Sequence, residues 1–485
     1  MDKSNFQTKL EKGLIKFKEA NYQEALNLFK NLEKEEKNFL VQWYLGHTYF
    51  RLHEYHLSIE HVKKSIKLKS EDSLNLNFLG ELYIKIKEYD KAISTLEKIL
   101  KINPENKNGL INLAIIYLDT GNYEKSKFYY KKLLEFDPTN YYAIYQLVKL
   151  DQNYLNEELV NKTEQLIDDN LIDDENLIFA NFILAEHENR NKNYEFEIKY
   201  LIKGHNLFHK KKQKAADEEY NYYTNLLPKF IKKIKLSDFS FDNKFSPIFI
   251  MGLPRSGTTL VEQIITTGNK SYLSGEETEV FSKVFFTNRI IKNYNSKELD
   301  TKFKFNKDDF LKLRDQIINQ YNHLNIKVGE ENFTDKSLEN IMYIELISKI
   351  FPNAKFIYCK RDKIANLLGI LKVFLPNILW SHSIEKILKL MDLYDDKLKS
   401  ILNDRTISLK VINLEELTAN PEKISKDLFN FLDLKWSEES LLLNTKNKKI
   451  IKTLSNIQAR EKIKKHDLDY LDNYLPILKK VSNLV

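Results

Sequence analysis

The chain has 485 residues, which exceeds one ordinary domain and predicts two or three. Apolar residues make up 42% of it and charged residues 30%, which is typical of a globular protein with a full core. A net charge of +7 is small for this length, so a nucleic-acid partner is disfavoured, while a local basic pocket for an anionic ligand stays allowed. The single cysteine, Cys359, cannot form an internal disulfide and indicates a reducing compartment.

The first residues of the chain contain no apolar stretch of the kind found in secretory leaders. No segment approaches the roughly 20 apolar residues that a membrane-spanning helix needs. We therefore expect a cytoplasmic protein without membrane association.

A repeat of about 34 residues marks the first part of the chain. The repeat tyrosines lie 33, 34 and 34 residues apart; they are Tyr22, Tyr55, Tyr89 and Tyr123. A small residue follows each tyrosine three positions later. A second series consists of small residues followed three positions later by tyrosine: Gly46, Gly80 and Ala114. Pro104 and Pro138, again 34 apart, close two of the units. Small residues let paired helices approach closely, and proline ends a helix.

This helix-turn-helix period resembles the tetratricopeptide repeat. We predict an α-solenoid over residues 1–140, followed by degenerate repeats and a helical connector over 141–240. Such arrays present a concave face to peptides or partner proteins. The alternative, that the array only stabilises or dimerises the chain, stays open.

The helical repeat pattern gives way near residue 246 to a pattern typical of an α/β domain. An apolar run predicts a buried strand, the loop 252–259 follows, and an apolar helical pattern comes next. Strand, glycine-bearing loop and helix together aim backbone N–H groups at a phosphate. The loop has the glycine spacing of a Walker A motif, but Thr258 stands where that motif has lysine, which argues against ATP or GTP hydrolysis. The candidate ligand-binding residues are Arg255, Ser256, Gly257, Thr258 and Thr259.

Residues 254–260 resemble the 5′-phosphosulfate loop of sulfotransferases, which use 3′-phosphoadenosine 5′-phosphosulfate (PAPS). Further resemblances lie downstream. The Gly-Glu-Glu-Thr of 275–278 is similar to a segment of tyrosylprotein sulfotransferases, and Asp-Lys-Ser at 335–337 is similar to a family element. The segments 350–362, 414–436 and 453–458 resemble the 3′-phosphate loop, a late block and the C-terminal Ser-x-x-Gln element. With the repeats in front, the whole resembles the bacterial tetratricopeptide-repeat sulfotransferases.

The resemblance implies roles for particular residues. Glu277 would be the base for the acceptor hydroxyl, with Glu276 as the fallback, and Lys336 would neutralise the bridging oxygen of the leaving group. Ser455 would donate to the sulfuryl or leaving group. The guanidinium of Arg361 would bind the 3′-phosphate. Arg460 is a further candidate near the donor, and no metal is expected.

The chain departs from the family pattern at three places. Gly369 stands where the family usually has a serine that contacts the 3′-phosphate, and Lys372 is a candidate replacement. Leu414 stands where the family has tyrosine, and the usual Pro-Ile-Tyr does not follow the C-terminal element. His382 is expected to be a non-catalytic loop residue.

The sequence therefore predicts a PAPS-dependent O-sulfotransferase whose catalytic domain, over 245–485, is a P-loop-like three-layer α/β fold with a parallel sheet. The acceptor is a protein or peptide tyrosine, with a saccharide hydroxyl as the next possibility. The alternative is a repeat-based scaffold with a degenerate sulfotransferase domain. A nucleotide kinase is disfavoured by Thr258.

Overall fold

The computed structural model describes residues 3–69, 73–234, 246–287, 305–403, 406–443 and 462–482. The chain divides into two compact units. One consists of Met1–Pro138 and Asn319–Asn325, and the other of Thr139–Ile318 and Ile326–Val485. Among the described residues, no helix combines the length and the apolarity that crossing a membrane requires.

The first unit contains antiparallel helix pairs. Its helices are α1 (Lys3–Lys18), α2 (Tyr22–Glu35), α3 (Phe39–Arg51), α4 (Tyr55–Leu68), α5 (Ser73–Lys85), α6 (Tyr89–Ile102), α7 (Lys107–Asp119) and α8 (Tyr123–Phe136). Each repeat tyrosine is the first residue of the second helix of its pair. Pro104 and Pro138 each come two residues after such a helix ends, as expected for a residue that cannot continue it.

The small residues of the repeat lie where paired helices touch. A Cβ atom at Gly46 would come within 2.6 Å of the Val62 side chain, and the Ser58 hydroxyl donates to the Gly46 carbonyl at 2.7 Å. Two repeats later, the Ser126 hydroxyl donates to the carbonyl of Ala114 at 2.8 Å. The predicted solenoid of helix pairs is thereby confirmed, and its register follows from close packing of small residues.

The second unit begins with further helices: α9 (Tyr141–Leu150), α10 (Glu157–Asp168), α11 (Asp174–Arg190), α12 (Tyr194–Asn221) and α13 (Leu227–Lys233). A five-stranded parallel sheet follows. Its strands are β1 (Ile248–Gly252), β2 (Tyr272–Ser274), β3 (Asn332–Asp335), β4 (Lys355–Lys360) and β5 (Leu409–Asn413). They pair in the order β2-β3-β1-β4-β5.

Helices accompany the strands along the chain. They are α14 (Thr258–Gly268), α15 (Val280–Thr287), α16 (Lys307–His323), α17 (Ile344–Ile350), α18 (Lys363–Leu371), α19 (Ile384–Asn403), α20 (Leu414–Ala419), α21 (Pro421–Phe431) and α22 (Leu475–Ser482). Because successive strand residues point to opposite faces, β1 feeds two cores. Ile248 and Ile250 join a core with α14 and α21. Phe249 contacts Phe281 of α15 and Phe351 after α17. Helices therefore cover both faces, which confirms the predicted three-layer parallel-sheet domain.

The strand order decides where a ligand can lie. The chain runs from β1 towards β2 on one side of the sheet and from β4 towards β5 on the other. Loops at the carboxyl ends of β1 and β4 therefore diverge and leave a crevice, the usual ligand position in open parallel sheets.

Candidate active site

Residues 252–259, at the end of β1 and after it, form a tight loop that we call the cradle. Gly252 and Gly257 adopt φ of 150° and 96°, values that favour glycine. A Cβ atom at Gly252 would lie 2.5 Å from the Cys359 carbonyl oxygen, and one at Gly257 would lie 2.7 Å from the side chain of Leu414. Helix α14 begins directly afterwards at Thr258, so its first N–H groups face the loop. Ser256 is buried, and its hydroxyl has no hydrogen-bond partner among the described residues.

Two arginines converge at the crevice between β1 and β4. Arg361 follows β4, and its Nη1 donates a hydrogen bond of 3.1 Å to the carbonyl of Arg255 in the cradle. Arg255 holds a left-handed φ of 67°, which is strained for a side-chain-bearing residue. Burial, and then the charge of Arg361, lower the pKa of Arg255 to about 10. Two neighbouring, partly desolvated guanidinium groups form a site that an anion would stabilise.

An ion pair joins the loops that follow β2 and β3. The Lys336 ammonium donates to Glu277 Oε1 at 2.9 Å. The Lys336 side chain is 0% exposed and that of Glu277 is 40% exposed. Burial acts to lower the pKa of Lys336, but the charges of Glu277, Glu262 and Glu276 outweigh it and raise that pKa. The ammonium therefore remains charged beneath a carboxylate that solvent can reach.

A buried carboxylate holds these two loops together. Asp335, the last residue of β3, accepts the Thr278 hydroxyl at 2.6 Å and the Ser337 hydroxyl at 2.7 Å. Gly275 lies so close to β3 that a Cβ atom there would be 2.0 Å from the Thr334 carbonyl oxygen. The two motifs that resemble sulfotransferase elements, 275–278 and 335–337, are thus one hydrogen-bonded structure.

Glu262 was not among the residues predicted from the sequence. It lies in α14 and is 1% exposed. Its Oε1 accepts the Glu276 backbone N–H at 3.0 Å and the Thr334 hydroxyl at 2.6 Å. Glu276 is also buried, and its backbone carbonyl in turn accepts the Lys336 backbone N–H at 2.8 Å. A charged residue on an otherwise uncharged helix, shortly after the glycine loop, is the signal that could have identified Glu262.

Other predicted positions have different surroundings. Ser455 and Arg460 lie outside the described residues. Lys372 pairs with Glu197 at 2.9 Å and donates to the Tyr474 hydroxyl at 2.8 Å, so its ammonium is already engaged. His382 is buried, with its Nδ1 2.9 Å from that of His205.

Two models of known protein families match parts of the chain. Residues 247–438 match the model of the sulfotransferase family, and residues 83–150 match that of the tetratricopeptide repeat. An uncharacterized protein of Aquifex aeolicus (strain VF5) is 24% identical over 376 residues, covering 71% of this chain and 46% of the relative. A protein-tyrosine sulfotransferase of Drosophila melanogaster is 24% identical over 219 residues, covering 42% of this chain and 41% of the relative.

The sulfotransferase domain from the olefin synthase of Synechococcus PCC 7002 is 17% identical, with coverage of 50% of this chain and 98% of that domain. Its TM-score of 0.34 does not by itself establish a shared fold. The chain spans less than half the length of the two curated relatives. Residues 247–438 form a sulfotransferase-family domain, and residues 83–150 belong to a tetratricopeptide-repeat region of the same chain.

Proposed function

We propose that the protein is a PAPS-dependent O-sulfotransferase. The observation that carries this proposal is the pair of Lys336 and Glu277, 2.9 Å apart, at the carboxyl ends of β3 and β2. A cation fully removed from solvent and a carboxylate open to it suit a transfer in which charge develops on a leaving oxygen and a proton leaves an acceptor.

The residues of the crevice fit a nucleotide that carries phosphate groups at its 5′ and 3′ positions. The cradle 252–259 has no room for side chains at its glycines and leaves the Ser256 hydroxyl facing no described partner. We assign the 5′-phosphosulfate to this cradle, with Arg255, Thr258 and Thr259, and the 3′-phosphate to Arg361. When bound, PAPS would supply the sulfuryl group.

The different exposures of the Glu277 and Lys336 side chains suggest their chemical roles. Glu277 accepts the proton of the acceptor hydroxyl as that oxygen bonds to sulfur and the bond between sulfur and the bridging phosphate oxygen breaks. Lys336 balances the negative charge on the bridging oxygen. Glu262 and Glu276 hold the two loops in register: the Glu262 carboxylate accepts the Glu276 backbone N–H, and the Glu276 carbonyl accepts the Lys336 backbone N–H. Ser455 and Arg460 stay predictions for the same site.

For the acceptor we propose a tyrosine in a protein or peptide. Support comes from the 275–278 segment and from the similarity to the Drosophila protein-tyrosine sulfotransferase. We further propose that the tetratricopeptide-repeat region binds a peptide or protein partner, as such repeats do.

The test uses the full chain and 3′,5′-adenosine bisphosphate, the product left after transfer. Calorimetry should detect its binding, and Arg255→Ala and Arg361→Ala should each abolish it. Absence of binding to the wild-type protein would contradict the proposal. Radiolabelled PAPS, added with a lysate of the source organism, should then label protein. Label found only in saccharide would reject the tyrosine acceptor but retain the sulfotransferase, and label nowhere would favour a degenerate domain.

A further inference from the structure

The cradle contains a tight turn over residues 253–256. The Ser256 backbone N–H donates to the Leu253 carbonyl at 3.2 Å and closes the turn. Its second residue is Pro254, whose ring fixes φ at about −65°. Its third residue, Arg255, has a φ of 67°. A positive φ at the third position alone defines a type II turn, which normally has glycine or asparagine there. Since arginine does not favour this conformation, contacts outside the turn must hold it.

The direction of one carbonyl group decides the type of this turn. In a type I turn the third residue has an ordinary negative φ, and the peptide group between the second and third residues is turned over. The carbonyl of that peptide group then points the opposite way, and here it belongs to Pro254. A donor that binds the Pro254 carbonyl in its present direction therefore favours type II, and with it the left-handed conformation of Arg255.

Asn366 supplies this donor. It is buried, and its Nδ2 donates to the Pro254 carbonyl at 2.8 Å. It is also the only residue with a polar side chain within 364–371 of α18. The next carbonyl, that of Arg255, accepts from Arg361, but its direction is similar in both turn types because ψ of the third residue is near 0° in each. The amide of Asn366 is thus the contact that distinguishes the two.

Helix α18 comes close to the turn because residue 369 is glycine. A Cβ atom at Gly369 would lie 3.3 Å from Cβ of Arg255 and 2.7 Å from Nη1 of Arg361. Gly369 and Asn366 are three residues apart and therefore share a face of the helix. At the helix start, the Asp362 carboxylate accepts two backbone N–H groups of the first turn, both at 2.9 Å. The position that carries a serine in the family thus permits close packing of α18 against the cradle in this chain.

We propose that Asn366 is a positioning residue for the 5′-phosphosulfate. This inference rests on the proposed function. By holding the Pro254 carbonyl, Asn366 keeps Arg255 in the left-handed conformation, and φ sets the direction in which the Arg255 side chain leaves the backbone. If the peptide group turned over, that side chain would leave in another direction and the 5′ side of the donor site would lose its arginine. Asn366 therefore acts through Arg255 and not by contact with the nucleotide.

The test compares two nucleotides on the full chain by calorimetry: 3′,5′-adenosine bisphosphate and 3′-AMP, which lacks the 5′-phosphate. Asn366→Leu keeps the approximate size of the side chain and removes the amide donor. It should weaken binding of the bisphosphate about three- to tenfold, the effect of losing one hydrogen bond. Affinity for 3′-AMP should not change. A residue that only stabilised the fold would not alter the ratio of the two affinities.

Asn181→Leu is the matched control. Asn181 is a buried asparagine of the same unit, and its Nδ2 also donates to a backbone carbonyl, that of Leu177, at 2.7 Å within α11. This variant should lower the stability of the protein, because a buried carbonyl loses its donor. The ratio of the two nucleotide affinities should stay that of the wild-type protein.

An unchanged ratio in a folded Asn366→Leu protein would overturn the assignment. Asn366→Ser has a smaller side chain that cannot overpack the helix, and its hydroxyl is too short to replace the amide. It should lower the same ratio, and an unchanged ratio there would contradict the inference even if the leucine variant did not fold. If the wild-type protein binds neither nucleotide, the proposed function itself fails, so the two failures are distinguishable.

Discussion

The Lys336 ammonium lies 2.9 Å from Glu277 Oε1, and the two side chains differ sharply in exposure, 0% against 40%. The lysine side chain is buried at the carboxyl edge of the sheet, and the partly exposed glutamate contacts it there. This relationship places a fixed positive charge and a proton acceptor in contact at the edge where the glycine loop also lies.

Glu277→Gln keeps the shape of the side chain and removes the proton acceptor. Sulfuryl transfer from labelled PAPS should fall by roughly 10²- to 10⁴-fold, while bisphosphate affinity stays unchanged. Glu279→Gln is a matched control, because Glu279 is 44% exposed and also pairs with a lysine, Lys283, at 3.1 Å. Equal transfer rates in the two variants would show that Glu277 is not the base.

Lys336→Met removes a buried cation from among three glutamates. The free energy of unfolding, measured with urea, should fall by about 3 kcal/mol, because the buried ammonium's favourable interactions with Glu277, Glu262 and Glu276 are lost. Transfer should fall as well. Lys283→Met, which breaks the partly exposed pair with Glu279 and the hydrogen bond to the Thr278 carbonyl, should cost less, about 1 kcal/mol. A stable, fully active Lys336→Met protein is incompatible with the assigned role.

Arg361→Lys tests planar recognition of the 3′-phosphate. Lysine keeps the positive charge but cannot donate in the paired geometry of a guanidinium, so bisphosphate affinity should fall, though by less than in Arg361→Ala. The alanine variant loses the charge as well as the paired donors, so its binding should be abolished. Arg314→Ala, at a surface arginine paired with Asp315, should bind normally. Calorimetry at constant salt measures all three, and equal affinities would reject the assignment.

Acid should destabilise the protein through His205 and His382. Burial lowers their pKa values to about 4 and about 3, against about 6.5 in an unfolded chain. Between pH 6.5 and 4 the unfolded chain therefore binds protons that the folded chain does not, so stability is present above pH 6.5 and is lost as the pH falls.

Each of these histidines should contribute a slope of about 1.4 kcal/mol per pH unit in that range. His382→Gln should make the dependence shallower. Urea unfolding at pH 7, 6 and 5 gives the slopes. Identical slopes for wild type and His382→Gln would contradict the assignment to this pair.

Much of the architecture could be predicted because the repeat spacing and the glycine loop are patterns of residues that are close together in the sequence. The 34-residue spacing of the tyrosines predicted repeating helix pairs, since packing of small residues repeats at every pair. Strand, glycine loop and helix were predictable because Gly252 and Gly257 need conformations that few other residues adopt. The boundaries at 140 and 245 and the catalytic roles stay predictions.

The sequence by itself determined which elements form and which motif follows which strand, because those choices depend on neighbours along the chain. Only the tertiary structure decided which side chains meet. Parallel pairing of β3 and β4 on either side of β1 brings Lys336, Arg255 and Arg361 to one sheet edge. Glu262 carries no motif, and it gains its surroundings from a buried helix face. Contacts between residues far apart in sequence exist only after the chain has folded, so spacing alone could not reveal them.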